Sequence, residues 1–178
     1  MDKKLYAMDE MNLLSPEEFV RVIGPVFEHS PWISESVLAL RPFATMTDLH
    51  RALCDAVLLG GEDKQLDLIR AHPDLVGRSA RQNTLTAEST REQASAGLGR
   101  LTNEEIALFQ KLNAAYRKKF GFPFVICARL NKKEAIIAGF QSRLENSIEA
   151  ETKTALLEIF KIADLRLQEL ISKKTETQ

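Results

Sequence analysis

Cysteine, histidine and tryptophan are scarce in this chain: 178 residues hold two cysteines, three histidines and one tryptophan. Cys54 and Cys127 are too few and too oddly placed for a disulfide framework or a thiolate zinc site, which suits a reducing compartment. No run approaches the roughly eighteen apolar residues of a membrane span, and the N-terminus lacks the apolar stretch of a secretion signal. The final Thr175-Glu176-Thr177-Gln178 carries no peroxisomal address. A cytoplasmic protein is the expectation. Charge of either sign is not in excess, since 24 Lys and Arg face 25 Asp and Glu for a net charge of -1, so neither a nucleic-acid nor a membrane partner is expected. Internal repeats and low-complexity linkers are absent as well.

What is present is an ordinary globular composition, 44% apolar and 28% charged. At this length one core burying roughly two thirds of the unfolded surface is expected. Ser15-Pro16-Glu17-Glu18 supplies an N-cap, a proline at the first helical position and a capping-box glutamate, so a helix starts there. Further helices are predicted over 34–40, from about 47 to Gly60-Gly61, over 63–71 and over 87–97. Thr102-Asn103-Glu104-Glu105 opens a long one that stops at Gly121. The residues at 132–144 and 149–173 read as two more, the last with an apolar stripe of Leu156, Phe160, Ala163, Leu167 and Leu170. A polar loop is expected at 77–84. The pattern predicts an all-α fold, a single-domain bundle of about seven to nine helices.

Three segments have the residue types that chemistry needs. In Ala71-His72-Pro73-Asp74-Leu75, Pro73 expels its predecessor from helical backbone, so His72 sits at a helix end. The negative end of the helix dipole favours imidazolium there, which suits a general acid; a histidine that merely caps the last carbonyls is the other reading, and this segment alone favours it. In the second segment Ser89, Glu92, Gln93, Ala96 and Gly97 share one helix face, where polar tips over a small-residue floor let a small polar ligand approach. A solvated face against which another helix packs is the other reading. The third, from Phe120 to Arg129, has a proline inside an apolar run with no strand partner in sight. If it is extended and unpaired, its backbone groups need partners, either a flat polar ring or other backbone and water.

Taken together, HPDL at 72–75, STREQASAGL at 89–98 and FGFPFVICAR at 120–129 closely resemble the OHCU decarboxylase family. The resemblance runs from about Asn12 to Leu170, leaving 1–11 as an N-terminal extension of a single domain over 1–178. That family acts on 2-oxo-4-hydroxy-4-carboxy-5-ureidoimidazoline. The resemblance implies an all-helical homodimer that uses no metal or organic cofactor, takes this small molecule as substrate and yields S-allantoin in urate breakdown. By motif position His72 would be the acid and Pro73 a neighbouring substrate contact. Ser89, Thr90, Arg91, Glu92 and Gln93 match the ligand-binding helix start, with Glu92 assisting catalysis. The backbone of Phe124, Val125, Ile126, Cys127 and Ala128 would hold the substrate's amide-like edge. Arg166, in DLRLQEL, matches the family's arginine of the final helix.

Such a substrate is its own electron sink, because its ring C=N lies beside the carboxylated carbon; this is why no cofactor is needed. Two competing readings stay open on the residues alone. Cys127 and His72 would form a thiol and base pair if they met in space, or the chain would be a helical interaction module without chemistry. His29 and His50, remote from all three segments, are assigned no role, and Trp32 is read as core or interface.

Overall fold

The computed structural model describes residues 4–77 and 85–172. The polar loop predicted at 77–84 therefore lies outside the described residues except for Gly77, as does the C-terminal tetrapeptide. Among the described residues the secondary structure is helical, with a lone parallel bridge between Tyr6 and Ile171. The helices are α1 (Met8–Leu13), α2 (Pro16–Ile23), α3 (Trp32–Ser36), α4 (Met46–Leu59), α5 (Glu62–Ala71), α6 (Ala87–Ser95), α7 (Asn103–Phe120), α8 (Lys133–Arg143) and α9 (Ile148–Gln168). The all-α expectation holds. None of these helices is long and apolar enough to cross a membrane.

Local chemistry accounts for most boundaries. Ser15 and Thr102 each accept from the backbone amide three residues on, while Glu18 and Glu105 reach back to close both capping boxes. α7 ends where Gly121 takes φ 77, the left-handed closure that costs glycine nothing. Two elements differ from expectation. The helix predicted over 34–40 is divided into α3 and a 3-10 turn, Leu38–Leu40, because Val37 leaves helical geometry at ψ 0. The last helix stops at Gln168, since Leu170 O and Ser172 N turn to Tyr6 and form the bridge instead. α1, which begins within the N-terminal extension at 1–11 and runs past it, buries Met8 and Met11.

The chain gathers into two compact units: one takes residues up to Leu68 and again from Phe160, the other Ile69–Ile159. In the first, Met11, Phe19, Ile23, Ile33, Leu49, Leu53 and Val57 are fully buried. In the second the core is aromatic. Phe124 stacks on Phe140 with centroids 3.8 Å apart, and Tyr116 meets both rings edge-on. Phe122 and Phe124 tie the segment 122–127 into that ring cluster.

Candidate functional site

α5 ends at Ala71 and His72 follows it, its amide still bonded to Ile69 O at 3.2 Å. Pro73 explains the stop, having no N–H to continue the helix. His72 is 6% exposed, too buried for a solvated cap. Beyond it the chain turns sharply: Gly77 N bonds Asp74 O, and Val76 has φ 54. A β-branched residue at positive φ is a backbone outlier and marks a corner held by its surroundings. Gly77 is required there, since a Cβ would come within 2.7 Å of the Asp74 Cβ.

α6 starts at Thr86, whose side chain accepts from Ser89 N at 3.2 Å. Ser89 and Gln93 are buried at 5% and 7% exposure, one turn apart on the inner face, with half-buried Glu92 beside them. Ala96 is buried on that face, while Gly97 is exposed and takes φ 79 to end the helix. Thr90 and Arg91 are exposed and bonded within their own helix, Thr90 to Thr86 O and Arg91 to Glu88 and Ala87 O.

The corner and α6 meet through one side chain. Gln93 Oε1 accepts from Val76 N at 3.1 Å, which leaves the Gln93 Nε2 donors facing elsewhere. From α7, Asn113 Nδ2 donates to Leu75 O at 2.8 Å, and Arg117 Nε donates to the Asp74 carboxylate. α6 also lies against the 3-10 turn Ala128–Leu130, which joins the second segment to the third. All three segments thus sit within the unit Ile69–Ile159.

Residues 123–127 form neither helix nor strand, and Phe122 lies in a bend before them. Three of their backbone groups are taken: Val125 O accepts from Arg143 Nη1 and Cys127 N donates to Glu158 Oε2, each at 2.8 Å, while Cys127 O accepts from Leu130 N and Asn131 Nδ2. The amides of Phe124, Val125 and Ile126 have no hydrogen-bond partner among the described residues. Phe124 and Val125 are at most 4% exposed. Leaving buried donors bare costs about 1 to 3 kcal/mol each, so this edge is a ready donor site for an accepting carbonyl or water. Ile126 is half-buried, and Cys127 and Ala128 are buried. The Cys127 thiol is 1% exposed.

Beneath this edge lies a polar network that periodicity does not reveal. Arg143 Nε donates to Glu151 Oε1 at 2.8 Å, Asn146 to Glu151 Oε2 at 2.7 Å, and the Tyr116 hydroxyl donates to Glu151 as well. The Arg143 guanidinium also covers the Phe124 ring, 4.3 Å from its centroid. Burial pushes the Tyr116 phenol well above its usual range, reinforced by its bond to Glu151.

The family model for OHCU decarboxylase matches residues 12–168. The chain belongs to that family. It is 41% identical over 165 residues to the 2-oxo-4-hydroxy-4-carboxy-5-ureidoimidazoline decarboxylase of Haloferax volcanii, covering 93% of this chain and 96% of that protein. It is also 40% identical over 174 residues to the uric acid degradation bifunctional protein PucL of Bacillus subtilis, covering 98% of this chain. The chain spans 34% of that bifunctional protein's length. Among solved structures, the crystal structure of (S)-allantoin synthase is similar with a TM-score of 0.74 at 26% identity, over 93% of this chain and 54% of that one.

In this OHCU decarboxylase family member Arg166 belongs to the first unit, where it is 3% exposed. Its Nη1 lies 3.1 Å from Glu28 Oε2 and close to the carbonyls of Pro25 and Val26, so one edge of the guanidinium is fixed. The same unit carries a cleft of about 810 Å³ lined by Trp32, Val37, Pro42, Phe43, Arg51 and Lys64 among others, and by none of the predicted site residues. His50 bonds Phe160 O at 2.9 Å and His29 is largely exposed. Asn113, Arg143 and Glu158 are the residues that sequence patterns missed. A signal was available only for Arg143, a charge at the end of the apolar helix α8.

Proposed function

We propose that this chain decarboxylates 2-oxo-4-hydroxy-4-carboxy-5-ureidoimidazoline to (S)-allantoin and carbon dioxide in urate breakdown, with His72 delivering the proton. The observation that carries this reading is the buried His72 corner, joined through Gln93 to the helix that bears Glu92, in a chain of this family.

As the bond to the carboxylate breaks, its electron pair forms a double bond to the neighbouring carbon and the C=N pair moves onto nitrogen, which takes a proton. The His72 imidazolium then protonates that neighbouring carbon on one face, while the hydroxyl loses its proton and becomes the product carbonyl. A proton from water restores the imidazolium. Such general acid catalysis contributes roughly 10² to 10⁴ in rate. Glu92 supports the charged imidazole and accepts ring or ureido N–H groups. Gln93, whose oxygen is occupied by Val76, offers N–H donors to a carbonyl or carboxylate, with Ser89 beside it on the same face. Pro73 packs next to the acid. The amides of Phe124, Val125 and Ile126 receive the amide-like edge of the substrate, with Cys127, whose own amide is held by Glu158, and Ala128 completing that side. The family resemblance gives Arg166 a substrate contact, and Thr90 and Arg91 lie on the outer side of α6. We read the protein as acting without metal or organic cofactor, as a cytoplasmic homodimer.

The test mixes purified protein with freshly generated substrate and follows the circular dichroism of allantoin. His72→Asn is expected to lose at least about a hundredfold in turnover and the handedness of the product. Full turnover and chirality in that variant would refute the assignment.

A further inference from the structure

We propose that Asn113 is a positioning residue: with Gln93 it grips both edges of the Leu75–Val76 peptide and so holds the His72–Pro73 corner in register for proton delivery. This rests on the role of His72 given above.

A trans peptide presents its C=O and N–H on opposite edges. Here the carbonyl of Leu75 is taken by Asn113 Nδ2 from α7 at 2.8 Å, and the amide of Val76 by Gln93 Oε1 from α6 at 3.1 Å. One peptide plane is therefore pinned between two helices, three residues beyond the histidine. The plane needs pinning because Val76, at φ 54, is in a conformation that its branched side chain disfavours. Strained backbone persists only where the surroundings over-determine it, and the two amides do so. A third fastening comes from Arg117, one turn past Asn113 on the same helix, to Asp74.

The orientation of Asn113 also argues against a packing role. Its Oδ1 is buried without a hydrogen-bond partner among the described residues, on a side chain 7% exposed. Turning the amide over would bring that oxygen against Leu75 O, so the donor must stay where it is. A leucine would fill the same space without an orphaned acceptor. What asparagine adds is the grip, and a carboxamide keeps it unchanged at any pH at which the histidine changes charge.

The test compares Asn113→Leu, and Asn113→Leu combined with Val76→Gly, with the parent protein. Asn113→Leu is expected to lower kcat about ten- to a hundredfold with KM within about threefold, since small misplacements of a reacting group cost on this order. The thermal midpoint is expected to fall by no more than a few degrees. Val76→Gly, which removes the cost of positive φ, is expected to recover at least about tenfold of the lost kcat. Hydrogen exchange of the Val76 amide, measured without substrate, is expected to be at least about tenfold faster in Asn113→Leu. Parent-like kcat and exchange in Asn113→Leu would overturn the proposal. So would a kcat that falls only with the thermal midpoint and gains nothing from Val76→Gly. If Asn113→Leu does not fold, Asn113→Ala takes its place under the same thresholds. Should the parent lack decarboxylase activity the functional reading fails, while the exchange measurement still decides whether the grip exists.

Discussion

Arg143 holds the Val125 carbonyl at 2.8 Å and through it joins the segment 122–127 to a buried carboxylate, Glu151, on α9. Glu151 is 0% exposed and also receives Tyr116 and Asn146, so the loop's geometry is set by a charge that has no access to water.

Removing the arginine leaves that charge uncompensated. Arg143→Met is expected to destabilise the fold by about 3 to 5 kcal/mol. For a chain of this size that corresponds to a thermal midpoint lower by roughly 10 °C. Combining it with Glu151→Gln should return part of the loss. A midpoint unchanged in the single variant would show that the network contributes nothing.

Glu158 performs a smaller task, accepting from Cys127 N at 2.8 Å. Glu158→Gln keeps an acceptor oxygen and is expected to stay within about threefold of parent kcat/KM. Glu158→Leu bares the amide at a cost of about 1 to 3 kcal/mol and is expected to raise KM about tenfold by loosening the edge. Steady-state kinetics of the two variants separates acceptor loss from charge loss, and equal behaviour would count against this role.

Alkaline pH should act through two groups that the fold keeps protonated. Burial, then Asp55 and Asp164, push the Cys54 thiol from 9.0 up to about 12, and burial raises the Tyr116 phenol from 10.0. The unfolded chain releases these protons first, so it binds fewer than the native state and stability falls as pH rises. The thermal midpoint is expected to be flat with respect to these groups below about pH 9 and to decline above it. Tyr116→Phe should soften the decline above about pH 10. Cys54 should react with iodoacetamide at pH 8 far more slowly in the native than in the unfolded protein, because only the thiolate attacks.

Thr90 and Arg91 point outward and bond within α6. Thr90→Val and Arg91→Ala are expected to change kcat/KM by less than about threefold and stability by no more than about 0.5 kcal/mol. A loss of a hundredfold in either would place that side chain in the substrate site.

Much of the fold was legible because its signals are local. Capping boxes at Ser15 and Thr102, the proline after His72 and the closing glycine at 121 act over three or four residues, and the structure follows them. α1 was not read, since six residues with only Met8 and Met11 inward make too short a periodic pattern. The overlong final helix failed for the opposite reason: the pairing of Tyr6 with Ile171 competes from the far end of the chain.

By itself the sequence determined the all-α class, the family, the position of His72 at a helix end and the non-helical character of 123–127. All of these depend on backbone preferences of neighbouring residues. Only the tertiary structure decided what grips what. The bonds from Gln93 to Val76, Cys127 to Glu158 and Asn113 to Leu75 span 17, 31 and 38 residues. Hydrogen bonding at such separations leaves no period or spacing in the chain, because it is set by how the helices pack and not by which residues follow one another.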